Sequence, residues 1–328
     1  MKRLLVLWLL LAFSVCARAQ FSTTSDGNGG LIITAYTGNV GAFVIVPATI
    51  EVNNVALPVT GIGYQAFANN EVIMTVNLPD SITTIEEDAF QNCSNLQTIA
   101  LGSSITSIGE GAFEGCGLTT LNLPSNLTGI GDYAFNGCSA LASLTIPDSV
   151  TGIGEYAFQG CSALTSVTLG HGLMTIGNFA FHQCTKLAQI TIPDEVTSIG
   201  YGAFAQCFGL TQVTFGIGVT TIGYDAFQDC SGLTSAIFDG NPPAIGNSAF
   251  ASAAGSFSIS YYNSASGFTS PNWTDSSGDS YPAAEIIPYI TASDGNGGLV
   301  ITQYTGPAGL AVVPSAINGL VVTGIGDE

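Results

Sequence analysis

The chain has 328 residues and a formal net charge of −19, and only four of its residues are lysine or arginine. Nucleic-acid binding depends on basic side chains that displace counterions from phosphates, so this composition excludes that function, and it equally disfavours an anionic membrane surface as a partner. We interpret the acidity as a solubilising charge on an uncharged surface rich in threonine and glycine; attraction of a cation or a basic partner is the alternative.

Residues 1–19 have the pattern of a secretory signal peptide. Two basic residues precede an apolar run over residues 4–15, and Ala17-Arg18-Ala19 matches a cleavage motif of small residues. The run is short for a membrane span, so we predict export and no membrane insertion of the mature chain. Removal of the segment leaves Lys186 as the only basic residue against 23 acidic ones, a net charge of −22.

Residues 20–57 are predicted to form an N-terminal cap. They contain a turn-rich cluster, Ser25-Asp26-Gly27-Asn28-Gly29-Gly30. The segments 31–36 and 43–47 after it have the composition of short strands.

Residues 58–250 contain nine copies of the dipeptide Ala-Phe. The step between copies is 23 residues in every case but one, where it is 22. The copies begin at Ala66, Ala89, Ala112, Ala134, Ala157, Ala180, Ala203, Ala226 and Ala249. A period of this length is typical of a solenoid, in which each repeat is one coil that must stack on its neighbours to bury its apolar side.

A single repeat predicts three short elements. Leu144 and Ile146 alternate with polar residues, which indicates a strand with one buried face. A second extended segment ends at Ile153, Gly154 permits a tight bend, and residues 155–161 suit a short helical turn. The fold class predicted from this pattern is a repeat solenoid, mainly β, with parallel sheets that run along the stack of coils.

The period ends after Phe250. Residues 251–289 are predicted to be a C-terminal cap or linker that shields the last coil from water. The sequence over 293–302 then repeats residues 25–34 almost letter for letter. We therefore predict that residues 290–328 are the truncated start of a second repeat module.

The repeat combines a Leu-Pro or Ile-Pro corner, an Ile-Gly bend, the Ala-Phe pair and a cysteine three residues after the phenylalanine. This pattern, over residues 40–250 and again at the C-terminus, resembles the BspA-like leucine-rich repeat family of bacterial secreted and surface proteins. The resemblance implies a right-handed leucine-rich-repeat superhelix of short parallel strands with a role in adhesion or protein binding outside the cell. It carries over no particular ligand.

Seven cysteines occupy one position of the repeat. They are Cys93, Cys116, Cys138, Cys161, Cys184, Cys207 and Cys230. Cysteines of exported proteins usually pair, but parallel Cβ vectors in neighbouring coils are too far apart for a good bridge. We predict buried free thiols rather than disulfides, and no zinc site, because no second ligand lies at a suitable spacing.

Acidic residues occupy another position in four successive coils, at Glu87, Glu110, Asp132 and Glu155. A divalent cation could relieve their repulsion, but calcium needs six to eight oxygen ligands. We predict a solvated edge and no resident metal or cofactor.

Two candidate binding surfaces consist of neutral side chains. The first is the outward column of the strand, Asn122, Thr145, Thr168, Thr191 and Thr214. Its hydroxyls and amides match the polar groups of a sugar or an extended peptide, although threonine is also an ordinary solvated strand residue. The second is the aromatic patch around Tyr133 and Tyr156, whose rings can stack on a sugar or a protein partner, or simply cover neighbouring backbone.

No catalytic set is apparent. His171 and His182 lie at different positions of the repeat, and neither has a nucleophile at a motif spacing. We therefore expect a non-enzymatic protein, secreted or displayed on the cell surface, that binds an extracellular protein or glycan. The alternative is a structural spacer module within a long exported chain of several solenoids.

Overall fold

The computed structural model describes residues 20–38, 42–262, 267–268, 272–275, 278–286, 289–293, 298–304, 316–317 and 320–325. The predicted signal segment lies outside the described residues. Every regular element in the described part is a β-strand. No helix there is long and apolar enough to cross a membrane.

The strands are short and follow one another at the period of the repeat. In chain order they are β1 (Phe21–Ser25), β2 (Leu31–Tyr36), β3 (Phe43–Ile45), β4 (Thr49–Val52), β5 (Val55–Ile62), β6 (Thr75–Asn77), β7 (Thr84–Ile85), β8 (Thr98–Ala100), β9 (Ser107–Ile108), β10 (Gly129–Ile130), β11 (Ser143–Thr145), β12 (Gly152–Ile153), β13 (Ser166–Thr168), β14 (Thr175–Ile176), β15 (Gln189–Ile192), β16 (Ser198–Ile199), β17 (Gln212–Phe215), β18 (Thr221–Ile222), β19 (Ser235–Phe238), β20 (Ala244–Ile245), β21 (Ser258–Tyr262), β22 (Asn272–Thr274), β23 (Ser280–Ile286), β24 (Tyr289–Ser293), β25 (Leu299–Tyr304), β26 (Ala316–Ile317) and β27 (Leu320–Ile325).

Two sets of strands make the solenoid; they run parallel from coil to coil, and the end strands β1 and β22 pair antiparallel with their neighbours. The short-strand ladder begins with β1, β2 and β5 and continues through the two-residue strands β7, β9, β10, β12, β14, β16, β18 and β20. The long-strand ladder is in three pieces, namely β3-β6-β8, β11-β13, and β15-β17-β19-β21-β23 with β22 at its edge. This arrangement confirms the predicted fold class.

Glycine follows the isoleucine in seven of the eight two-residue strands of the short-strand ladder, the exception being Glu86 after β7, because the coils approach one another closely there. The N–H of Gly131 donates to the carbonyl of Ile108 in the preceding coil at 2.9 Å. A Cβ at Gly131 would lie 2.7 Å from the backbone nitrogen of Glu110, which is closer than van der Waals contact permits. The sequence suggested a bend at Gly154, but the structural requirement at this position of the repeat is close contact between backbones.

The segment around each Ala-Phe pair is a series of β-turns, where the sequence predicted a short helical turn. Asp88 and Asn92 have φ angles of 55° and 57°, in the left-handed region that interrupts a right-handed helix. The N–H of Ala89 donates to Glu86 within the coil, at 3.3 Å, whereas the N–H of Phe90 donates to Ala112 of the next coil, at 2.8 Å. Every second amide therefore donates to a carbonyl of the neighbouring coil, and these hydrogen bonds hold adjacent coils together.

The core between the two ladders is a column of phenylalanine rings. The rings of Phe135 and Phe158 stack with centroids 5.2 Å apart and planes 4° from parallel, and both side chains are fully buried. Tyr36 stacks on Phe67 at the N-terminal end of the column. Phe257 stacks on Phe250 at the other end. Like residues lie over like along the whole column.

The seven repeat cysteines are free and buried, as predicted. Each thiol donates to the carbonyl of the phenylalanine one coil earlier; for example, Sγ of Cys138 lies 3.2 Å from the carbonyl oxygen of Phe113. The thiols thus pack as small apolar residues and also satisfy a buried carbonyl.

Aspartates cap the corners after several long strands. The Oδ1 atom of Asp80 accepts from the N–H of Ser103 in the next coil, at 2.8 Å, and Asp148 and Asp194 make the same bond to His171 and Ile217. The residue before each of these donor amides is a glycine. A coil with Pro-Asp at this corner is therefore followed by a coil with glycine, an alternation that the 23-residue period does not reveal.

The sheet β24-β25-β27 repeats the pairing of β1-β2-β5. Leu31 pairs with Val59 in the first sheet, as Leu299 pairs with Val322 in the second. Each sheet has one register shift in its antiparallel pair, at corresponding residues of β1 and β24. The division of the chain into caps, repeats and a second module remains a prediction, which this duplication favours.

Candidate binding face

The outward side of the long-strand ladder, here called the sheet face, consists of residues that alternate with the core. In β11, Leu144 is 3% exposed and points inward, while Ser143 and Thr145 on either side of it are exposed. The alternation follows from the two-residue period of a strand. It places neutral polar side chains outward in successive coils, namely Thr120, Ser143, Ser166, Gln189, Gln212, Asn122, Thr145, Thr168, Thr191 and Thr214.

The structure brings the predicted sheet-face threonines together in two pairs. Thr145 lies beside Thr168, and Thr191 lies beside Thr214, in register on parallel strands. The two pairs belong to separate pieces of the ladder, because β13 and β15 are neighbours without ladder pairing. Four of the five predicted residues therefore lie on strands of one face, while Asn122 lies on no strand.

The threonine hydroxyls of this face make no hydrogen bonds within the protein, in contrast to those of another threonine column of the repeat. A second threonine column precedes the short strands, and its hydroxyls donate to the carbonyl of the previous coil; Thr128 does so to Thr106 at 3.0 Å. Within the described part of the chain, the hydroxyls of Thr145, Thr168 and Thr191 make no hydrogen bond to protein. They are free to bind a ligand or water.

Asn122 lies at a cavity of about 360 Å³ between the third and fourth coils. The cavity is also lined by Leu121, Leu123, Ser125, Ser143, Thr145 and Pro147. Of these, sequence reasoning had singled out Thr145 and Asn122 as binding residues. The sequence analysis did not predict the other lining residues. The one sequence feature that marks their position is the 22-residue step, which falls in this coil.

The aromatic patch lies on a different part of the coil, in the turns after the short strands. Tyr133 and Tyr156 stack with centroids 4.8 Å apart, and Tyr156 stacks on Phe179 at the same distance. All three residues have positive φ angles, between 53° and 56°, a conformation that is rare for bulky residues. The rings cover one another, so the exposed parts of the patch are mainly ring edges and the outer ring faces.

Two members of the acidic column accept hydrogen bonds from the following coil. The Oδ1 atom of Asp132 accepts from the N–H of Glu155 in the next coil at 2.7 Å, and Glu155 accepts from the side-chain amide of Asn178 at 2.8 Å. Partial desolvation, then the neighbouring Tyr156 and Glu155, raise the pKa of Tyr133. No group of three or more potential metal ligands is arranged to hold an ion among the described residues.

The repeats match one family model. A model described as the BspA type Leucine rich repeat region matches residues 48–142 and 128–256, with six copies in all. This chain belongs to that family. The comparison with curated proteins returns no significant match.

Two crystal structures resemble this BspA-type chain over most of its length. A leucine-rich repeat protein from Bacteroides ovatus is 22% identical, with a TM-score of 0.56; the match covers 81% of this chain and 75% of that one. A leucine rich cell surface protein from Faecalibacterium prausnitzii is 25% identical, also with a TM-score of 0.56, over 76% and 89% of the two chains. The first likeness establishes the fold alone.

Burial suppresses the ionisation of two cysteines in the middle of the BspA-type stack. Burial raises the pKa of the Cys138 and Cys184 thiols to about 12, so neither is a thiolate at neutral pH. Burial lowers the pKa of His182, whose Nδ1 lies 2.9 Å from Nε2 of Gln159; a neutral ring can accept that bond. These groups pack and hydrogen-bond within the coil stack, and they belong to neither the sheet face nor the aromatic patch.

Proposed function

We propose that this chain is a non-enzymatic protein, secreted or displayed on the cell surface, that binds an extracellular protein or glycan through its sheet face. The observation that carries the proposal is the unpaired state of the sheet-face hydroxyls beside a second threonine column whose hydroxyls are occupied. Side chains that need no partner within the fold are available to a ligand.

The rigidity of the support favours recognition. The sheet-face strands pack on fully buried residues such as Leu164 and Val213, and a site on such elements presents its groups with little loss of conformational freedom on binding. The face carries hydroxyls and amides, which both donate and accept hydrogen bonds. It therefore suits a neutral, polar ligand surface.

The location of the protein outside the cytoplasm is part of the proposal. It rests on the signal-like pattern of residues 1–19, on membership of the BspA-type family and on the likeness to a protein described as a leucine rich cell surface protein. Seven reduced, buried thiols are compatible with an oxidising compartment because none is accessible to a partner thiol.

A binding experiment with matched lysine variants tests the proposal. The purified mature chain is applied to arrays of glycans and extracellular proteins. One variant carries Thr145→Lys, Thr168→Lys and Thr191→Lys on the sheet face. The control carries Thr128→Lys, Thr151→Lys and Met174→Lys, three exposed positions beside the short strands with the same change of charge.

We expect the sheet-face variant to lose binding and the control to retain it. Equal binding by both variants would contradict the sheet face as the binding surface. Variants of Tyr133 and Tyr156 then test the aromatic patch as the remaining candidate.

The second candidate function, a structural spacer, is favoured by the repeated pairing of β24-β25-β27. A chain built of several such modules would hold a distal domain away from the cell. A spacer needs length rather than a ligand, so it predicts no specific partner on the arrays. A saturable ligand that is displaced by sheet-face substitutions would contradict it as the sole function.

A further inference from the structure

The long-strand ladder is in three pieces, and its break between β8 and β11 falls where the repeat loses one residue. In most coils two residues separate the cysteine position from the next core leucine, as in Cys93-Ser94-Asn95-Leu96. In the third coil only Gly117 separates Cys116 from Leu118. The strand expected two residues after that leucine does not form, and the ladder stops at β8 and resumes at β11.

The backbone of the third coil at this point is unpaired. Thr119 still bonds to both neighbours, because its N–H donates to Gln97 and its carbonyl accepts from Ala142. Beyond it, within the described part of the chain, residues 120–123 make no backbone hydrogen bond to either adjacent coil. Amide and carbonyl groups in a β-solenoid are normally paired, so these groups must be satisfied by water or by a ligand.

The cavity of about 360 Å³ lies at this interruption. Four of its lining side chains are polar and exposed, namely Asn122, Ser125, Ser143 and Thr145. The lining also includes Leu121, which is 6% exposed, and the half-buried Leu123. A concave site with an apolar base, a few polar groups and a volume near the lower end of the range for ligand pockets fits one small chemical unit.

The lining residues of the cavity determine which charge a ligand can carry. None of the lining residues is charged, so the cavity has neither a cationic group to bind a phosphate or carboxylate nor a carboxylate to bind a cation. Its serine, threonine and asparagine side chains donate and accept hydrogen bonds equally. The complementary ligand is neutral and carries groups that also do both, which is the property of a sugar ring with its hydroxyls and its C–H faces.

An extended peptide fits this place less well. A peptide that joins a sheet needs a free row of edge groups along a strand. Here residues 119–123 already occupy the strand position between β8 and β11, since Thr119 is bonded on both sides. The unpaired groups therefore surround a local pocket, and they do not form an open edge.

We infer that the cavity at the ladder interruption is a binding subsite for one residue of a neutral saccharide. The inference rests on the proposed function, because it names the ligand class for part of the sheet face. Asn122 and Ser143 bind the sugar hydroxyls, together with the unpaired backbone groups of residues 120–123. Leu121 and Leu123 contact its C–H face, and longer glycans continue along Thr145 and Thr168.

The test uses the mature chain and short neutral oligosaccharides of glucose, galactose, mannose and N-acetylglucosamine, first on an array and then by calorimetry. The variants Asn122→Ala and Ser143→Ala each remove one rim group. The control, Thr191→Ala, removes a hydroxyl from the same face outside the cavity. Each rim variant is expected to weaken binding about tenfold, as for the loss of a hydrogen bond to a buried ligand, and the control leaves it unchanged.

The outcomes separate this inference from the proposed function. Oligosaccharide binding that is weakened by Thr191→Ala but not by the rim variants overturns the subsite and leaves the sheet face as the binding surface. Binding of a protein or peptide, with no oligosaccharide bound, also overturns the subsite and keeps the proposed function. Absence of any ligand on either array contradicts both.

Discussion

The short-strand ladder and the long-strand ladder are built from the same coils, but only the short-strand ladder is continuous. At the third coil, Gly129 of β10 pairs with Ser107 before it and with Gly152 after it. On the other side of the same coil no strand forms between β8 and β11. The stack thus depends on one ladder for its continuity and can vary the other.

The difference follows from where the missing residue falls. The shortened link at Gly117 lies between the buried turn and the segment that would form the long strand. From Leu118 onward the spacing is that of the other coils, and Leu118, Leu121 and Leu127 are all buried. The missing residue therefore removes the backbone pairing of this segment but keeps its alternation of inward and outward side chains. Because the short strands touch through their backbones, an error there would disturb both neighbouring coils, whereas a gap in the long-strand ladder leaves only a surface cavity.

The largest expected effect comes from the core that both ladders share. Replacement of Phe158 by alanine removes a fully buried ring that stacks on Phe135 and Phe181. We expect the free energy of unfolding to fall by about 3–5 kcal/mol. The matched control is Phe43→Ala, since Phe43 is 57% exposed at the start of the sheet face. Denaturant midpoints measure the stability of both variants. An equal loss of stability in the two would contradict the assignment of Phe158 to the core.

A pair of glycines in one coil tests the short-strand ladder directly. A Cβ at Gly131 would lie 2.7 Å from the backbone of Glu110, whereas a Cβ at Gly129 would meet nothing within 4 Å. Gly131→Ala should therefore destabilise the fold by about 1–3 kcal/mol, and Gly129→Ala should change it by less than about 1 kcal/mol in either direction. Thermal unfolding of both variants measures these changes. A Gly131→Ala variant with unchanged stability would show that the coils are not in close backbone contact.

Insertion of one residue after Gly117 tests the long-strand ladder. It restores the usual link and should allow residues 120–122 to pair with β8 and β11. Each new ladder hydrogen bond contributes about 1 kcal/mol or less, so we expect a modest rise in stability. Hydrogen exchange at Ser143–Thr145 should slow at the same time. Unchanged exchange there would mean that the shortened link is not the cause of the interruption.

The smallest effect concerns the corner after the eighth coil's long strand, where Asp239 follows Phe238. Burial, and then the charge of Asp194, raise the pKa of Asp239 from 3.8 to about 6. Its protonated form is favoured by folding, so its contribution to stability is full below about pH 4 and is lost as the pH rises through 6. Asp239→Asn should therefore stabilise the protein at pH 7 and have little effect at pH 4.

Asp80 provides the opposite control. Hydrogen bonds from the amide and hydroxyl of Ser103 lower the pKa of Asp80, so its contribution is present at neutral pH and is lost in acid. Asp80→Asn should weaken the fold at pH 7 and have no effect in acid. Melting temperatures across this range measure both variants, and the same pH trend for the two would contradict the assigned environments.

The Ala-Phe and cysteine positions were predictable from the sequence because each recurs at a nearly constant step, the Ala-Phe pair in all nine coils and the cysteine in seven of them. The coil-to-coil turns were not, since the residues with positive φ include Tyr133 and Phe179 as well as glycines, and bulky residues give no sign of that conformation. The unpaired hydroxyls and the cavity depend on which atoms of neighbouring coils meet. A period of 23 residues does not encode that information. The 22-residue step indicates which coil is irregular, but it does not predict the cavity or the unpaired groups.

Labelling of the cysteines tests whether consecutive coils stack in register with like residues buried over like. The mature protein is treated with an alkylating reagent in the folded state and again after unfolding, and its mass is measured each time. We expect no label on the native protein and seven labels after unfolding, one for each buried repeat cysteine. Rapid labelling of the native protein, or fewer than seven free thiols after unfolding because pairs have bridged, would contradict it.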